Sequence, residues 1–192
     1  MANDPIEKAF ADHKAMFDAV GAEHRAVITK MANAWVDSLK AGGRILLCGN
    51  GGSAADSQHI AAELVGRFSK ERRALPALAL TVNTSNLTAI ANDYSYEEIF
   101  ARQVEALGRK GDIFVGISTS GNSPNVVKAL NKAKAEGLVT IAMTGAKGGR
   151  CADIAHITFR APSNDTPRIQ ELHITVGHIV CDLVERGLFG GD

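Results

Sequence analysis

His59 and Glu63 stand four residues apart in His59-Ile60-Ala61-Ala62-Glu63, and Arg67 follows after four more. On a helix, that i, i+4, i+8 spacing lines all three along one face, beside the apolar stripe Ile60, Leu64 and Phe68. An imidazole and a carboxylate one turn apart can ligate a metal ion or work as an acid–base pair. Taken alone, H-x-x-x-E is also explained by an exposed polar face with a modest ion pair. A second polar set lies near the C-terminus, in Arg168-Ile169-Gln170-Glu171-Leu172-His173-Ile174-Thr175-Val176-Gly177-His178. Gln170 and His178 fall two helical turns apart, roughly on one side and amid apolar neighbours, where a lone histidine also reads as a satisfied core group. Asn92-Asp93, just after Leu87–Ala91, is either a turn or part of a site.

Two further segments suit an anion. Gly49-Asn50-Gly51-Gly52-Ser53 is a glycine loop that can aim backbone amides at a ligand, with a helix N-terminus behind it. Ser118-Thr119-Ser120-Gly121-Asn122-Ser123-Pro124 carries four hydroxyls on a flexible backbone, a neutral donor-rich cup for a phosphate monoester. Each serine has a plainer reading: Ser53 and Ser123 could cap the helices that follow. Two such loops at one end of one sheet favour a ligand. Gly49, Gly51 and Ala54 satisfy the dinucleotide spacing, yet the second strand ends in Val82-Asn83-Thr84 with no acidic residue for a ribose. No lysine precedes a serine or threonine after the glycines, so the P-loop pattern fails too. A small phosphorylated ligand, without a nucleotide cofactor, is expected.

These residues must be held by an α/β framework. Short apolar runs at Ile45–Cys48, Ala77–Val82, Ile113–Ile117, Val139–Met143 and Ile154–Phe159 each lead into a polar loop and a helical stretch, the pattern of parallel strands buried on both faces. Ahead of them, Asp4-Pro5-Ile6-Glu7 opens a helix with Ile6, Phe10, Phe17 and Val20 at helical spacing. A second helix carries Val27, Met31, Trp35 and Leu39 and ends at Gly42-Gly43. A long helix from about Thr166 to Glu185 closes the chain. The expected architecture is a single α/β domain over 1–192, with an N-terminal helical pair within 1–43.

The 192 residues hold 21 basic and 21 acidic side chains, a net charge of zero, which argues against nucleic acid or anionic membrane as a partner. No apolar run approaches the ~18 residues of a membrane span, and no secretory leader is visible. Cys48, Cys151 and Cys181 form no framework, so a reduced, cytoplasmic setting is expected.

Cys48-Gly49-Asn50-Gly51-Gly52-Ser53, His59-x-x-x-Glu63, Ala91-Asn92-Asp93, Gly116-Ile117-Ser118-Thr119-Ser120-Gly121-Asn122-Ser123 and Arg168-Ile169-Gln170-Glu171 together resemble the bacterial phosphoheptose isomerases, which are sugar-isomerase (SIS) domain proteins. The resemblance runs in order along nearly the whole chain. It implies a five-stranded parallel sheet between helices, a homotetramer with sites between subunits, and conversion of sedoheptulose 7-phosphate to a manno-heptose 7-phosphate. That reaction would be the first step toward the nucleotide-activated heptoses of lipopolysaccharide core. It implies substrate contacts from Asn50, Gly51, Gly52, Ser53, Glu63, Asn92, Asp93, Ser118, Thr119, Ser120, Ser123 and Gln170. It implies Glu63 and His178 as the acid–base pair, and one zinc per subunit on His59, Glu63, Gln170 and His178. Two rivals share parts of the pattern: a non-catalytic SIS relative that binds the bacterial replication initiator, and a sugar-phosphate-sensing regulatory domain. The first is expected to lack the equivalents of Glu63 and His178, and no DNA-binding segment is attached to suggest the second.

Overall fold

All five apolar runs become strands in the computed structural model, which describes residues 4–190. Asp4 starts α1 (Pro5–Asp18) as expected, its carboxylate accepting from the Ile6 amide at 2.9 Å. After α2 (Ala22–Lys40) the chain alternates: β1 (Ile45–Gly49), α3 (Gly52–Val65), β2 (Ala77–Ala79), α4 (Thr84–Asp93), a 3₁₀ turn (Tyr96–Glu98), α5 (Ala101–Leu107), β3 (Ile113–Ser118), α6 (Pro124–Ala135), β4 (Val139–Thr144), α7 (Gly149–Ile154), β5 (Ile157–Arg160) and α8 (Thr166–Phe189). The strands pair in parallel in the order β2-β1-β3-β4-β5.

Successive strand residues feed opposite faces of the sheet, and helices cover both faces. Ile45 and Leu47 of β1 join Trp35, Leu64 and Val180 in one core, against α2, α3 and α8. Leu46 and Cys48 join Phe100, Leu130 and Cys151 in the other, against α5, α6 and α7. This double burial explains why the runs show no polar alternation.

Three boundaries differ from the sequence expectation by more than one residue. β2 stops at Ala79 rather than Val82, because the chain turns away from β1 after Leu80, whose amide still donates to the Leu47 carbonyl. Ile154 ends α7 and packs beneath it, so β5 begins three residues later, at Ile157. α8 continues past Glu185 to Phe189. In α1, Phe17 packs on the core, whereas Ile6 and Phe10 are 65% and 73% exposed in the single chain.

Candidate active site

The strand order changes direction between β1 and β3, and in open parallel sheets the crevice beyond that point takes ligands. Gly49 ends β1 opposite Ile117 of β3, so the glycine loop and the serine loop leave the sheet side by side. Neither Ser53 nor Ser123 is a capping side chain. Gly51 occupies the N-cap of α3, while Ser53 is buried in its first turn and accepts from Ser57 Oγ at its carbonyl. Ser123 stands at the N-cap of α6 but makes no capping bond; its hydroxyl lies 2.9 Å from Ser118 Oγ. Ser118 Oγ also lies 3.4 Å from Ser120 Oγ, which accepts from the Asn122 amide. Thr119 is half-buried, and its carbonyl accepts from the Gly145 amide. A cavity of about 320 Å³ opens beside this loop, lined by Thr119, Ser120, Gly145, Asn164 and Ile169 among others.

The helical half of the site comes from α3 and α8. Their approach is close enough that a Cβ on Gly177 would lie 2.6 Å from Ile60 Cδ1. His178, the next residue, thereby reaches α3. His59 Nε2 is 2.9 Å from Glu63 Oε1 and 3.3 Å from His178 Nε2. His59 Nε2 carries at most one proton, so it can donate to only one of these two neighbours. The three ligand atoms lie within 4.8 Å of one another and could hold a metal ion. The donor set suits zinc in chemistry, and the 3.3 Å between the two imidazole nitrogens is close to the edge of a tetrahedron built on bonds of about 2.0–2.1 Å. His59 and Glu63, at 2.9 Å, stand at hydrogen-bond distance. Phe68 packs against the His178 ring.

The structure does not gather the other polar residues singled out in the sequence into this cluster. The Gln170 amide lies against Gly52, where a Cβ would come within 2.5 Å of Nε2. Asn92 and Asp93 end α4, exposed, and bond to each other at 2.8 Å. Arg67 leaves the His59–Glu63 stripe because α3 ends at Val65, and it faces Glu71 instead. Glu171 is drawn away toward His13 of α1 and Arg168. His173 is the core histidine: its Nε2 meets the Thr144 carbonyl at 3.1 Å, and burial pulls it down to about 4, neutral at pH 7.

Several participants carried no signal in the sequence. Asp56, one turn before His59, is pushed up to about 6 by burial, opposed by the charge of His59, and its Oδ2 has no partner. Arg72 and Glu185 form a buried pair at 2.9 Å, between α8 and the segment after α3. The Arg72 guanidinium also donates to the Glu63 and Leu64 carbonyls, closing the end of the helix that bears His59. Tyr96 and Asn125 both bond to Asn50.

A doubly covered parallel sheet with hydroxyl and glycine loops at its switch point, and a His–Glu–His cluster at the helix after the first loop, defines an α/β domain with a ligand crevice at the strand ends. The SIS domain family matches residues 10–145. A phosphoheptose isomerase of a Nitratiruptor species is 54% identical over 180 residues, covering 94% of this chain and 96% of the relative. Among solved structures, a phosphoheptose isomerase from Francisella tularensis superposes with a TM-score of 0.93 at 35% identity, covering 97% of this chain and 99% of that one. Another from Neisseria gonorrhoeae gives 0.89 at 42% identity, covering 94% and 96%. The chain belongs to the phosphoheptose isomerase family of SIS domain proteins.

Proposed function

We propose that this protein is an aldose–ketose isomerase that converts sedoheptulose 7-phosphate to D-glycero-D-manno-heptose 7-phosphate, at the entry to nucleotide-activated heptose synthesis. The observation that carries the reading is the convergence of His59, Glu63 and His178 at α3, the helix that opens from the glycine loop. Such an exchange moves a proton between neighbouring carbons through an enediol, which needs a base on one side and a donor at the developing oxyanion. Glu63 and His178 share the proton transfers between C1 and C2 and their oxygens. Ser118, Thr119, Ser120 and Ser123 hold the phosphate, and binding energy from that remote group steadies the reacting carbons. Asn50, Gly51, Gly52, Ser53, Asn92, Asp93 and Gln170 complete the substrate contacts.

Zinc would be held by His59, Glu63 and His178, with Gln170 joining them only by turning away from Gly52, and it would supply polarisation of the substrate oxygens. A carboxylate engaged with a cation is a weaker base, so the two uses of Glu63 compete. Exposed Ile6 and Phe10 support the homotetramer, with α1 covered by a second copy. Among the described residues no helix is long and apolar enough to cross a membrane, and the three cysteines are free and buried, in keeping with a cytoplasmic enzyme. Incubation with sedoheptulose 7-phosphate, followed by NMR, tests the assignment through the appearance of aldose signals. No turnover, with or without added zinc, would sink it. Light scattering tests the tetramer, for which a mass about four times 20.3 kDa is expected.

A further inference from the structure

Asn50 opens the loop after β1 and Asn125 lies in the first turn of α6, after the serine loop, and their side chains form a closed amide pair. Asn50 Nδ2 donates to Asn125 Oδ1 at 2.9 Å, and Asn125 Nδ2 donates to Asn50 Oδ1 at 2.9 Å. The sense of this pair is fixed by the backbone. The Val126 N–H, which can only donate, points at Asn125 Oδ1 from 2.9 Å, so the atom there must be the oxygen. That choice puts the Asn125 NH₂ opposite Asn50 and makes the facing atom of Asn50 its carbonyl. Tyr96, in the turn after α4, adds its hydroxyl to the same carbonyl at 3.0 Å. Asn50 Oδ1 therefore accepts two bonds and is filled, while Asn50 Nδ2 has spent one of its two protons.

We propose that Asn125 is a positioning residue which, with Tyr96, locks Asn50 as a hydrogen-bond donor toward an acceptor oxygen of the phosphorylated sugar. This rests on the isomerase reading for the identity of the ligand, and on the amide pair alone for the direction of the bond. Asn125 is 1% exposed, so its own contact with a ligand is excluded and its effect passes through Asn50. The pair also ties the glycine loop to the serine loop across the switch point, so both loops meet the ligand in one fixed relation. A buried amide without partners is costly, and here each amide satisfies the other.

Asn125→Asp separates positioning from folding. A carboxylate still accepts from Val126, and the first turn of α6 favours a negative charge, so the fold is retained. It offers Asn50 only acceptors, which leaves the choice of which end of the Asn50 amide faces the ligand to the Tyr96 hydroxyl alone, a group that can accept as well as donate. KM for sedoheptulose 7-phosphate is expected to rise about tenfold near pH 8, the loss of one directed hydrogen bond, with kcat changed far less. Protonation gives the introduced carboxyl an O–H that can replace the lost N–H. The KM ratio of variant to parent should therefore shrink as pH falls toward about 5, since a free carboxyl titrates near 4. Tyr96→Phe should raise KM a few-fold at every pH, with an unchanged melting temperature. A folded Asn125→Asp protein with parental KM at pH 8, or a KM ratio that ignores pH, would overturn the proposal. If Asn125→Asp does not fold, Tyr96→Phe decides, and an unchanged KM overturns it. If the parent shows no turnover, the isomerase reading falls, and calorimetric binding of sedoheptulose 7-phosphate to the same proteins judges Asn125 by the same ratios. No binding by the parent overturns both.

Discussion

Glu185→Gln probes the buried clasp that joins the two helices of the site. Both carboxylate oxygens are closed to solvent and saturated. Oε1 accepts from the Phe68 amide and Arg72 Nε, each at 2.9 Å. Oε2 accepts from the Ser69 amide, the Ser69 hydroxyl and the Lys70 amide. Glutamine keeps the volume and exchanges one oxygen for an NH₂. Seated with its oxygen toward Ser69 and Lys70, it turns a donor against the Phe68 amide and leaves the Arg72 guanidinium buried without a carboxylate. Breaking a buried pair in this way costs about 3–5 kcal/mol, from a total of about 5–15 kcal/mol for a domain.

The titration of Glu185 gives a second figure. Burial alone would raise this carboxyl, but the amides of Ser69, Phe68 and Lys70 and the Ser69 hydroxyl overcome it and hold the group at about 2, against 4.5. A folded-state value below the unfolded one means the stabilisation is complete above pH ~4.5 and fades as pH falls toward about 2; its size is about 3 kcal/mol. Urea unfolding of both proteins at pH 7, 5 and 3.5, with chelator present, measures it. The variant should lie about 3 kcal/mol below the parent at pH 7, with the gap narrowing on acidification. A loss under about 1 kcal/mol at pH 7, the level of an exposed ion pair, or a gap that stays constant with pH, refutes the reasoning.

Glu63→Gln and His178→Ala should each lower kcat by about 10²–10⁴-fold while circular dichroism reports an intact fold; rates near the parent's would move the chemistry elsewhere. Elemental analysis of protein purified without chelator should find one zinc per chain, and His59→Ala should remove it. Absent metal together with full activity would exclude a catalytic ion. In Gly52→Ala the new Cβ meets only the end of the flexible Gln170 side chain, so melting should barely change while turnover drops as Gln170 is displaced. Undiminished turnover would take Gln170 out of the site.

What could be read from the sequence divides along a physical line. Contacts local in the chain were legible. The i, i+4 spacing put His59 beside Glu63, double-faced strands showed as unbroken apolar runs, and Asp4-Pro5 marked a helix start. Whatever depends on two segments meeting left no local trace. Arg72 and Glu185 are 113 residues apart, and nothing in Ser69–Arg73 or Asp182–Arg186 distinguishes a buried charge from a solvated one. Asn125 reads as an ordinary first-turn residue until Asn50, 75 positions earlier, is seen to face it. Arg67 shows the opposite error, a periodic pattern extended past the end of its helix, because Gly66 stops α3 and no apolar position records the stop.

Gly52 makes the same point from the side of function, and shows how the halves of the site depend on each other. In the sequence it belongs with Gly49 and Gly51 as part of a turn. In the structure it is the first residue of α3, where a helix tolerates any side chain, and the absence of a Cβ serves the Gln170 amide of α8. Gly177 gives the same clearance to Ile60 at the other end of the α3–α8 contact. The helices thus approach through two glycines and are fastened beyond His178 by Arg72 and Glu185. The loops are fixed instead by strand register, with Gly49 opposite Ile117, and by the Asn50–Asn125 pair. On the isomerase reading, a neutral chain would hold a sugar phosphate with hydroxyls and amides that are already aimed and need no reorganisation when the ligand arrives, with Lys147 lining the same cavity. Asn125, Gly177, Arg72 and Glu185 are outside the proposed ligand contacts, so a change at any of them should alter affinity or rate without touching substrate.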